Sequence, residues 1–582
     1  MRILSVAGFV ISAYLAGSAS PALATIPYPT TPTWQSTPNG YVSTGGGFAD
    51  INRDGWPDMV VANGNDIERQ HLTVYLNNGN GTFPANPSWQ SADIDYHGHL
   101  SLGDVNNDDW IDCAVAVYLG PGGFGTKGKA KLYLNNAGTL AANPSWVSSE
   151  TFYAFGCALG DMDGDGDLDL ACACGDDYND QTEPQRIFRN IGGTFEGTAS
   201  WRSTDLAYAL DVTWGDVDRD GDVEPIFCGS SAPVRYYRND QTTGGSISTT
   251  TTWQNTDLPE FGNTATVGDW NGDGFPELAV ADNNQLGGAG RFKVYANNSG
   301  ALGTTPAWQS SNGGYGSNVS WADLDLDGDL DLATGRWFSQ SRIYENTGGT
   351  LTTAPVWTSG TSSVIENIYF ADVDRDGLRT DGRANLNGTG SRTFFAIGQV
   401  PVEGISEVRV NGTPTTSYAA SLENGWVSIS PPPPAGVGNV EIRFSYSVDL
   451  DMGMTNWDSS IGNYLFTNLR TTASAPDTDG PANPNSGNDL AAADLRAWPN
   501  PVTASTALRY RGPAGGDARL SIFDAAGREV ARLHDGRIEG ELRIWEWTPV
   551  SAEGRPLPAG AYFARIQTDS GSVVTRVTLL PR

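Results

Sequence analysis

The chain has 582 residues, and its 67 Asp and Glu outnumber its 35 Lys and Arg to leave a formal net charge of −32. That balance excludes a generic nucleic-acid binder, which needs a basic face to meet phosphates. With 71 Gly, 33 Pro and connections rich in Thr, Ser and Asn, the composition predicts many short strands and tight turns rather than long helices.

The chain opens with Met1-Arg2, an apolar run from Ile3 to Leu15 and small residues ending Ala22-Leu23-Ala24. This pattern predicts a cleavable secretory signal over residues 1–24 and an exported protein, secreted or held at the cell surface. Later apolar stretches fall short of the roughly 20 residues that cross a bilayer as a helix, so no transmembrane segment is expected. The cysteines are five, Cys113, Cys157, Cys172, Cys174 and Cys228, which leaves at least one thiol unpaired. Cys157 is expected to face Cys172 or Cys174 across a hairpin, either as a disulfide or as buried small hydrophobes.

An internal repeat organises most of the chain. Tryptophan recurs at Trp34, Trp89, Trp146, Trp201, Trp253, Trp308 and Trp357, each followed 15 or 16 residues later by an acidic loop beginning at Asp50, Asp104, Asp161, Asp216, Asp269, Asp323 and Asp372. A third element, Tyr75-Leu-Asn-Asn and its counterparts at Tyr133, Phe188, Tyr237, Tyr295 and Tyr344, reads as a strand ending in a turn. One unit is therefore four antiparallel strands, a propeller blade, which buries both faces only by stacking on neighbours in a closed ring. The expected fold is all-β, a seven-bladed β-propeller over 25–377 and 449–468. In the seventh unit, Asp449, Asp451, Trp457 and Tyr464 match Asp329, Asp331, Trp337 and Tyr344 in spacing, so Leu378 to Val448 is expected to be a small β module inserted in the seventh loop. The unit lacks its own Trp strand. The segment around Trp34 is expected to supply it and close the ring, which removes a sheet edge.

The loops read Asp-x-(Asp/Asn)-x-Asp-Gly-x-x-(Asp/Glu). Oxygens at positions one, three, five and nine, with a backbone carbonyl at seven, suit a hard cation that takes six to eight oxygen ligands, and glycine at six makes the turn. The expected ligand sets are Asp50, Asn52, Asp54, Trp56 and Asp58; Asp104, Asn106, Asp108, Trp110 and Asp112; Asp161, Asp163, Asp165, Asp167 and Asp169; and Asp216, Asp218, Asp220, Asp222 and Glu224. The remaining three are Asp269, Asn271, Asp273, Phe275 and Glu277; Asp323, Asp325, Asp327, Asp329 and Asp331; and the split set Asp372, Asp374, Asp376, Asp449 and Asp451, with Asp449 giving its backbone carbonyl. Asp109 replaces the turn glycine in the second loop, as a residue that tolerates positive φ. The loops hold 30 acids, and up to seven calcium ions would bring the charge from −32 to −18, so calcium is expected to be structural.

The loop followed by an apolar strand, preceded by Phe48-Ala-Asp50, Trp214-Gly-Asp216 or Trp321-Ala-Asp323, resembles the FG-GAP/VCBS repeats of integrin α-chain heads, from Thr25 to Asn468. That family includes fungal lectins and a few polysaccharide-degrading enzymes, so the resemblance implies the fold and calcium without a ligand. Residues 469–493 read as a linker. In 494–582, Trp498-Pro-Asn-Pro501, Leu520-Ser-Ile-Phe-Asp524, Trp545, Trp547 and Leu557-Pro-Ala-Gly560 resemble FlgD-type immunoglobulin-like domains and bacterial type IX sorting domains. The resemblance implies export or surface attachment, although the chain ends Leu580-Pro-Arg582 without the lysine-rich tail common there.

Only four histidines exist, and His97-Gly-His99 places two imidazoles on one strand, as transition-metal ligands or ordinary strand residues. Hydrolase elbows, zinc-protease helices and phosphate loops are missing, and the paired carboxylates belong to metal loops. These features favour a non-catalytic binding or adhesion protein for an extracellular glycan or protein ligand, with no catalytic residues. The alternative is a polysaccharide lyase or hydrolase on a calcium-stabilised propeller.

Overall fold

The structure is a computed structural model that describes residues 26–469 and 494–580, apart from 231, 241–245, 258–260, 285–287, 378, 499–501, 503–504, 513–515, 526, 539–541, 551–554 and 569–570. The expected signal at 1–24 and nearly all of the expected linker lie outside the described residues. Among the described residues there is no helix, and hence none long and apolar enough to cross a membrane.

Seven four-stranded antiparallel sheets stand in a propeller-like ring. The first pairs Ser43–Ala49, Asp58–Asn63, Thr73–Tyr75 and Trp89–Gln90 in order. Its innermost strand touches the innermost strand of the next sheet, His97–Gly103, and the contacts continue through Ala154–Gly160, Ala209–Gly215, Gly262–Gly268, Gly316–Ala322 and Ile365–Ala371 back to Ser43–Ala49. In the sheet built on Ile365–Ala371, the neighbours are Asp451–Asn456, Tyr464–Phe466 and finally Trp34–Gln35 from the N-terminal end. Trp34 stands opposite Leu465 and Gln35 opposite Tyr464, so the two ends of the ring are joined by backbone hydrogen bonds.

The second strands are buried along their whole length, for example Asp58–Asn63 and Asp112–Leu119. This explains why they read as continuous apolar runs without alternation: both faces meet a neighbouring blade. Between blades, the tryptophan of one sheet sets its ring edge against the aromatic of the next. Trp34 meets Tyr75 at 5.9 Å, Trp201 meets Tyr237 at 5.2 Å, Trp308 meets Tyr344 at 5.2 Å and Trp357 meets Phe466 at 5.5 Å. Such edge-to-face pairs contribute beyond the area they bury. Phe466, not Tyr464, thus occupies the aromatic position of the last blade, and it stands opposite Met452 as Tyr344 stands opposite Leu332. The register read from spacing is two residues early here, because the turn after Asn456 is two residues longer than the turn after Arg336.

The five cysteines are buried free thiols. Cys157 does stand opposite Cys172 in the hairpin, and both, with Cys174, pack into one apolar cluster as small hydrophobes.

The insert between Gly377 and Asp449 forms two sheets, one with Arg379–Gly388, Gly404–Val410, Thr413–Thr415 and Gly436–Ser447, the other with Phe394–Ala396, Tyr418–Ser421 and Trp426–Ile429. It does not end there. Arg379–Gly388 pairs in parallel with Leu542–Trp547 of the C-terminal region, making one seven-stranded sheet that continues through Thr506–Arg511 to Asp494–Trp498. Leu542 and Ile544 sit in the insert's own apolar core, and Arg509 donates to Gln399 at 2.7 Å across the junction. A second C-terminal sheet, from Asp517–Asp524, Glu529–Arg537, Gly560–Thr568 and Gly571–Leu579, closes over the remaining core.

Removing residues 26–36 should expose the edge of Tyr464–Phe466 and open the ring. Light scattering and thermal melting are expected to show association and a lower melting temperature; an unchanged, monomeric deletion variant would show that this strand does not close the ring.

Candidate metal centres on one face of the ring

Each innermost strand runs into an acidic loop, so all the loops emerge on one face. In the first, second, third and fifth loops the opening Asp accepts backbone N–H groups from inside its own loop. Asp50 takes those of Asp54 (3.0 Å) and Gly55 (2.9 Å), Asp104 those of Asp108 (3.1 Å) and Asp109 (2.7 Å), and Asp161 those of Gly164 (2.8 Å) and Gly166 (3.0 Å). The fifth residue then accepts the N–H of the seventh, as Asp54 does from Trp56 and Asp108 from Trp110, both at 2.9 Å. The loop is thereby curled around its own carboxylates. Asp109 takes φ +66°, the left-handed conformation that glycine adopts at Gly55, Gly166, Gly221, Gly274 and Gly328. Gly377 is the exception. A Cβ there would lie 2.4 Å from Cβ of Asp449 and 2.6 Å from Oγ of Ser447, so glycine serves close approach where the chain leaves for the insert.

A second left-handed residue was not anticipated. The fourth position of every loop, Arg53, Asn107, Gly164, Arg219, Gly272, Leu326 and Arg375, has φ between +55° and +69°. For Leu326 and the arginines this conformation costs about 1 kcal/mol each. The signal in the sequence was the glycine at this place in the third and fifth loops.

The ninth acids, Asp58, Asp112, Asp169, Glu224, Glu277, Asp331 and Asp451, are at most 1% exposed. One oxygen of each accepts the N–H of the loop's second residue (Ile51, Val105, Met162, Val217, Trp270, Leu324, Val373) at 2.7–3.2 Å. The other accepts the N–H of an asparagine after the third strand (Asn77, Asn135, Asn190, Asn239, Asn297, Asn346, Asn468) at 2.7–3.3 Å. The first six of these asparagines donate Nδ2–H to the carbonyls of Val373, Ile51, Val105, Met162, Val217 and Trp270 in the preceding blade at 2.6–2.9 Å. Sequence reading had assigned these asparagines to turns only; their recurrence two residues after the aromatic was the available signal.

Four loops bring three carboxylate oxygens within 4.8 Å of one another: Asp161, Asp163 and Asp169; Asp216, Asp218 and Glu224; Asp323, Asp325 and Asp327; and Asp372, Asp374 and Asp451. Each such group could hold a metal. The first, second and fifth loops carry Asn52, Asn106 and Asn271 at position three and so present fewer carboxylates. In them the amide stands in, accepting the N–H of the fifth residue at 2.8–3.1 Å. The last group is assembled from both sides of the insert, and Val373 N–H reaches Asp451 across 78 residues of sequence. Asp449 lies beside that group, and burial together with the charges of Asp376, Asp372 and Asp374 pushes its carboxyl up to about 8. Oxygens of Asp163, Asp216, Asp323, Asp372 and Asp449 are buried without a hydrogen-bond partner. Such orphaned carboxylate oxygens match the donor set of a hard divalent cation.

The two histidines do not share a site. His97 Nδ1 contacts the Asn63 carbonyl at 3.0 Å, while His99 Nδ1 contacts Asp211 at 3.2 Å, and a bulge between His97 and Leu100 separates their directions.

With this geometry in view, comparison with known proteins is specific. Residues 50–115, 104–172 and 269–334 match the FG-GAP-like repeat family. The chain carries FG-GAP-like repeats. They are related to integrin alpha chains: human integrin alpha-7 is 33% identical over 130 residues, 20% of this chain and 11% of that protein. Mouse integrin alpha-3 is 29% identical over 114 residues, 17% of this chain and 10% of that protein. The match thus spans about a tenth of the length of these relatives. Among solved structures, Saccharomyces cerevisiae Sqt1 is similar with a TM-score of 0.39 and 10% identity over 76% of this chain and 99% of that one. An Agrocybe aegerita lectin that recognises non-reducing terminal N-acetylglucosamine has a TM-score of 0.32 and 20% identity over 56% of this chain and 82% of that one.

Burial, reinforced by neighbouring carboxylates, pushes Asp58, Asp112, Asp161, Asp216 and Asp269 up to about 7 and Glu277 and Asp331 to about 9. Groups raised in the folded state favour folding while protonated, so their contribution is full below the unfolded value and is lost as pH rises through the folded one. With divalent cations chelated, the melting temperature should therefore fall between pH about 5 and about 9, and added calcium should restore more of it at the higher pH. Calorimetry at both pH values with and without chelator checks this; a chelated protein whose stability rises over that range would contradict it.

Asn135→Ala removes the bond to Ile51 and leaves a buried carbonyl unsatisfied, at a cost of about 2 kcal/mol. Urea titration against Asn136→Ala, an exposed neighbour, should show the difference; equal midpoints would discount the interblade bond.

Proposed function

We propose that the chain is a secreted, calcium-binding FG-GAP propeller that acts as a non-catalytic binding or adhesion protein for a glycan or protein ligand outside the cell. The observation that carries the calcium reading is the set of buried, partnerless carboxylate oxygens of Asp163, Asp216, Asp323, Asp372 and Asp449, which include both oxygens of Asp323 and of Asp449. Oxygen-only donors suit calcium, which accepts six to eight ligands in varied geometry, better than the strict octahedron of magnesium. Positions one, three, five and nine, with the carbonyl of position seven, would hold an ion in each loop, up to seven in all. The ion would offset the mutual repulsion of acids that the fold brings together.

The kinship with integrin alpha chains supports a binding role, and the C-terminal region, by its resemblance to sorting domains, is the candidate export or attachment element. The metal loops use their carboxylates to shape and hold the blades, which leaves the opposite face of the ring to meet a ligand.

Metal analysis of the purified mature chain should give several calcium ions per molecule, and calcium-loaded protein should retain ligand on a glycan or protein array without releasing cleaved product. Metal content near zero after dialysis in calcium would refute the calcium reading, and depolymerisation of a bound polysaccharide would replace binding with catalysis.

A further inference from the structure

The insert lies across the metal-loop face of the ring and closes the axial channel there: Val400, Ala420, Ser421, Glu423 and Asn424 border a cavity of about 130 Å³ together with innermost-strand residues from Ser101 to Ile368. The channel's other end is a second cavity of about 180 Å³, with Tyr118, Phe155, Tyr178 and Trp337 in its wall. The seat of the insert is made by the acidic loops of the third and fourth blades. Phe394 N–H donates to the carbonyl of Gly221, the turn glycine of the fourth loop, at 3.1 Å, and Thr393 Oγ1 stands 3.4 Å from the same oxygen. A hydrogen bond from the Ser428 hydroxyl stabilises the carboxylate of Asp161, which opens the third loop. Contact is close at the glycines of both loops. A Cβ on Gly164 would lie 3.0 Å from Cγ2 of Thr393, one on Gly166 3.1 Å from Cβ of Ser430, and one on Gly221 2.5 Å from Cγ of Arg392.

Packing carries the same contact inward. Phe394 rests against the apolar cluster that contains Leu168 and against the one that contains Met162 and Val223, while Ala419 and Trp426 belong to the first of these. Met162 follows the opening acid of the third loop, and Leu168 and Val223 precede the ninth acids of the third and fourth. The insert therefore touches the backbone that aims those carboxylates. Arg392 adds a charge. Its guanidinium lies over the Phe395 ring at 4.2 Å, acts on the charge of Asp216 and stands 3.7 Å from Glu546 in the C-terminal region. Nε of Arg392 and Oδ1 of Asp216 are both buried without a hydrogen-bond partner. Arg392 is thus shared between an acid of the fourth loop and an acid of the C-terminal region, and positive charge added at Asp216 favours the second.

We propose that the insert completes the third and fourth metal centres, so that calcium in these two loops and the seating of the insert, with the C-terminal region that shares its sheet, form one coupled equilibrium. The proposal rests on the calcium reading above and assigns a regulatory role to two of its sites. Asp161, Asp163 and Asp169, and Asp216, Asp218 and Glu224, each bring three oxygens within 4.8 Å, and their mutual repulsion acts on the loops whose shape makes the seat. Relief of that repulsion fixes the backbone at Gly164, Gly166 and Gly221, the residues the insert contacts. Linkage makes the effect reciprocal: the factor by which calcium favours seating is the factor by which seating favours calcium. Removal of calcium unseats the insert and the C-terminal region as a unit, because Leu542 and Ile544 stay in the core they share and the parallel pairing with Arg379–Gly388 remains.

Hydrogen–deuterium exchange of the full-length protein, at saturating calcium and with chelator, tests this at the peptide spanning Phe394, whose N–H is held by the Gly221 carbonyl. Chelation should speed its exchange at least about tenfold, while the insert's own ladder between Arg379–Gly388 and Gly436–Ser447 keeps its protection. Asp163→Asn/Asp218→Asn should abolish the calcium effect at Phe394, and Asp325→Asn in the sixth loop should preserve it; the wild-type comparison decides alone where the double variant does not fold. Ser428→Ala should raise the calcium concentration at half-protection by a similar factor and still reach full protection at saturation. Unchanged exchange at Phe394 in protein that gives up its calcium to the chelator, an equal loss of the effect in Asp325→Asn, or exchange that rises through the whole insert ladder overturns the coupling and leaves the calcium reading standing. Failure to bind calcium at all removes the two together.

Discussion

The carboxylate at the ninth position of each acidic loop is the constraint on which the ring depends. It is buried, it uses both oxygens on backbone N–H groups, and those groups belong to two different elements: the loop's second residue and the asparagine after the third strand. That asparagine then reaches into the preceding blade. A single side chain thus shapes a loop, ends a strand and, through its partner, sets the spacing between sheets. Two charge-assisted bonds per carboxylate offset only part of the desolvation penalty, and the other acids of the loop add repulsion to what remains, which is why most of these groups are held well above the ordinary carboxylate range. A fold that concentrates acids in this way gathers groups that could hold a metal ion.

The insert turns a nearly symmetric ring into a molecule with two unlike faces. On the metal-loop side it covers the axial channel, and its sheet continues into the C-terminal region through the parallel pairing of Arg379–Gly388 with Leu542–Trp547. The buried salt bridge geometry at that junction is modest, with Arg392 standing 3.7 Å from Glu546, so apolar packing of Leu542 and Ile544 into the insert's core carries the association. The other face keeps its loops uncovered and gathers exposed aromatics around the channel mouth. The acidic loops and the aromatic-lined mouth lie at opposite ends of the same strands.

Where the structure departs from the reading of the sequence, the reason is local. Tyr464 matched Tyr344 by spacing, yet a longer turn moved Phe466 into that place, since the ladder follows hydrogen bonds rather than residue counts. Asp449 was assigned a carbonyl by analogy with a nine-residue loop; the insert's exit also leaves both of its carboxylate oxygens buried without a hydrogen-bond partner. His97 and His99, two residues apart, share one face of a strand on paper, but the bulge beside them sends one to a backbone carbonyl and the other to Asp211 in the channel.

The sequence by itself determined the repeated unit, the acidic loops with their turn glycines, the place of the insert and the need for a strand from the N-terminal end, because each is written as a short pattern of residue types recurring at a steady interval. Local periodicity carries such information, since a strand's burial and a turn's φ depend on residues close in the chain. Only the tertiary structure decided that the insert stoppers the channel, that it shares a sheet with residues 542–547, and that Asp66, Asp177 and Glu366 meet around one mouth. Parallel pairing between distant strands leaves no turn signal, and a site assembled from one or two residues of several blades leaves no motif, so neither exists as a pattern until the ring has closed.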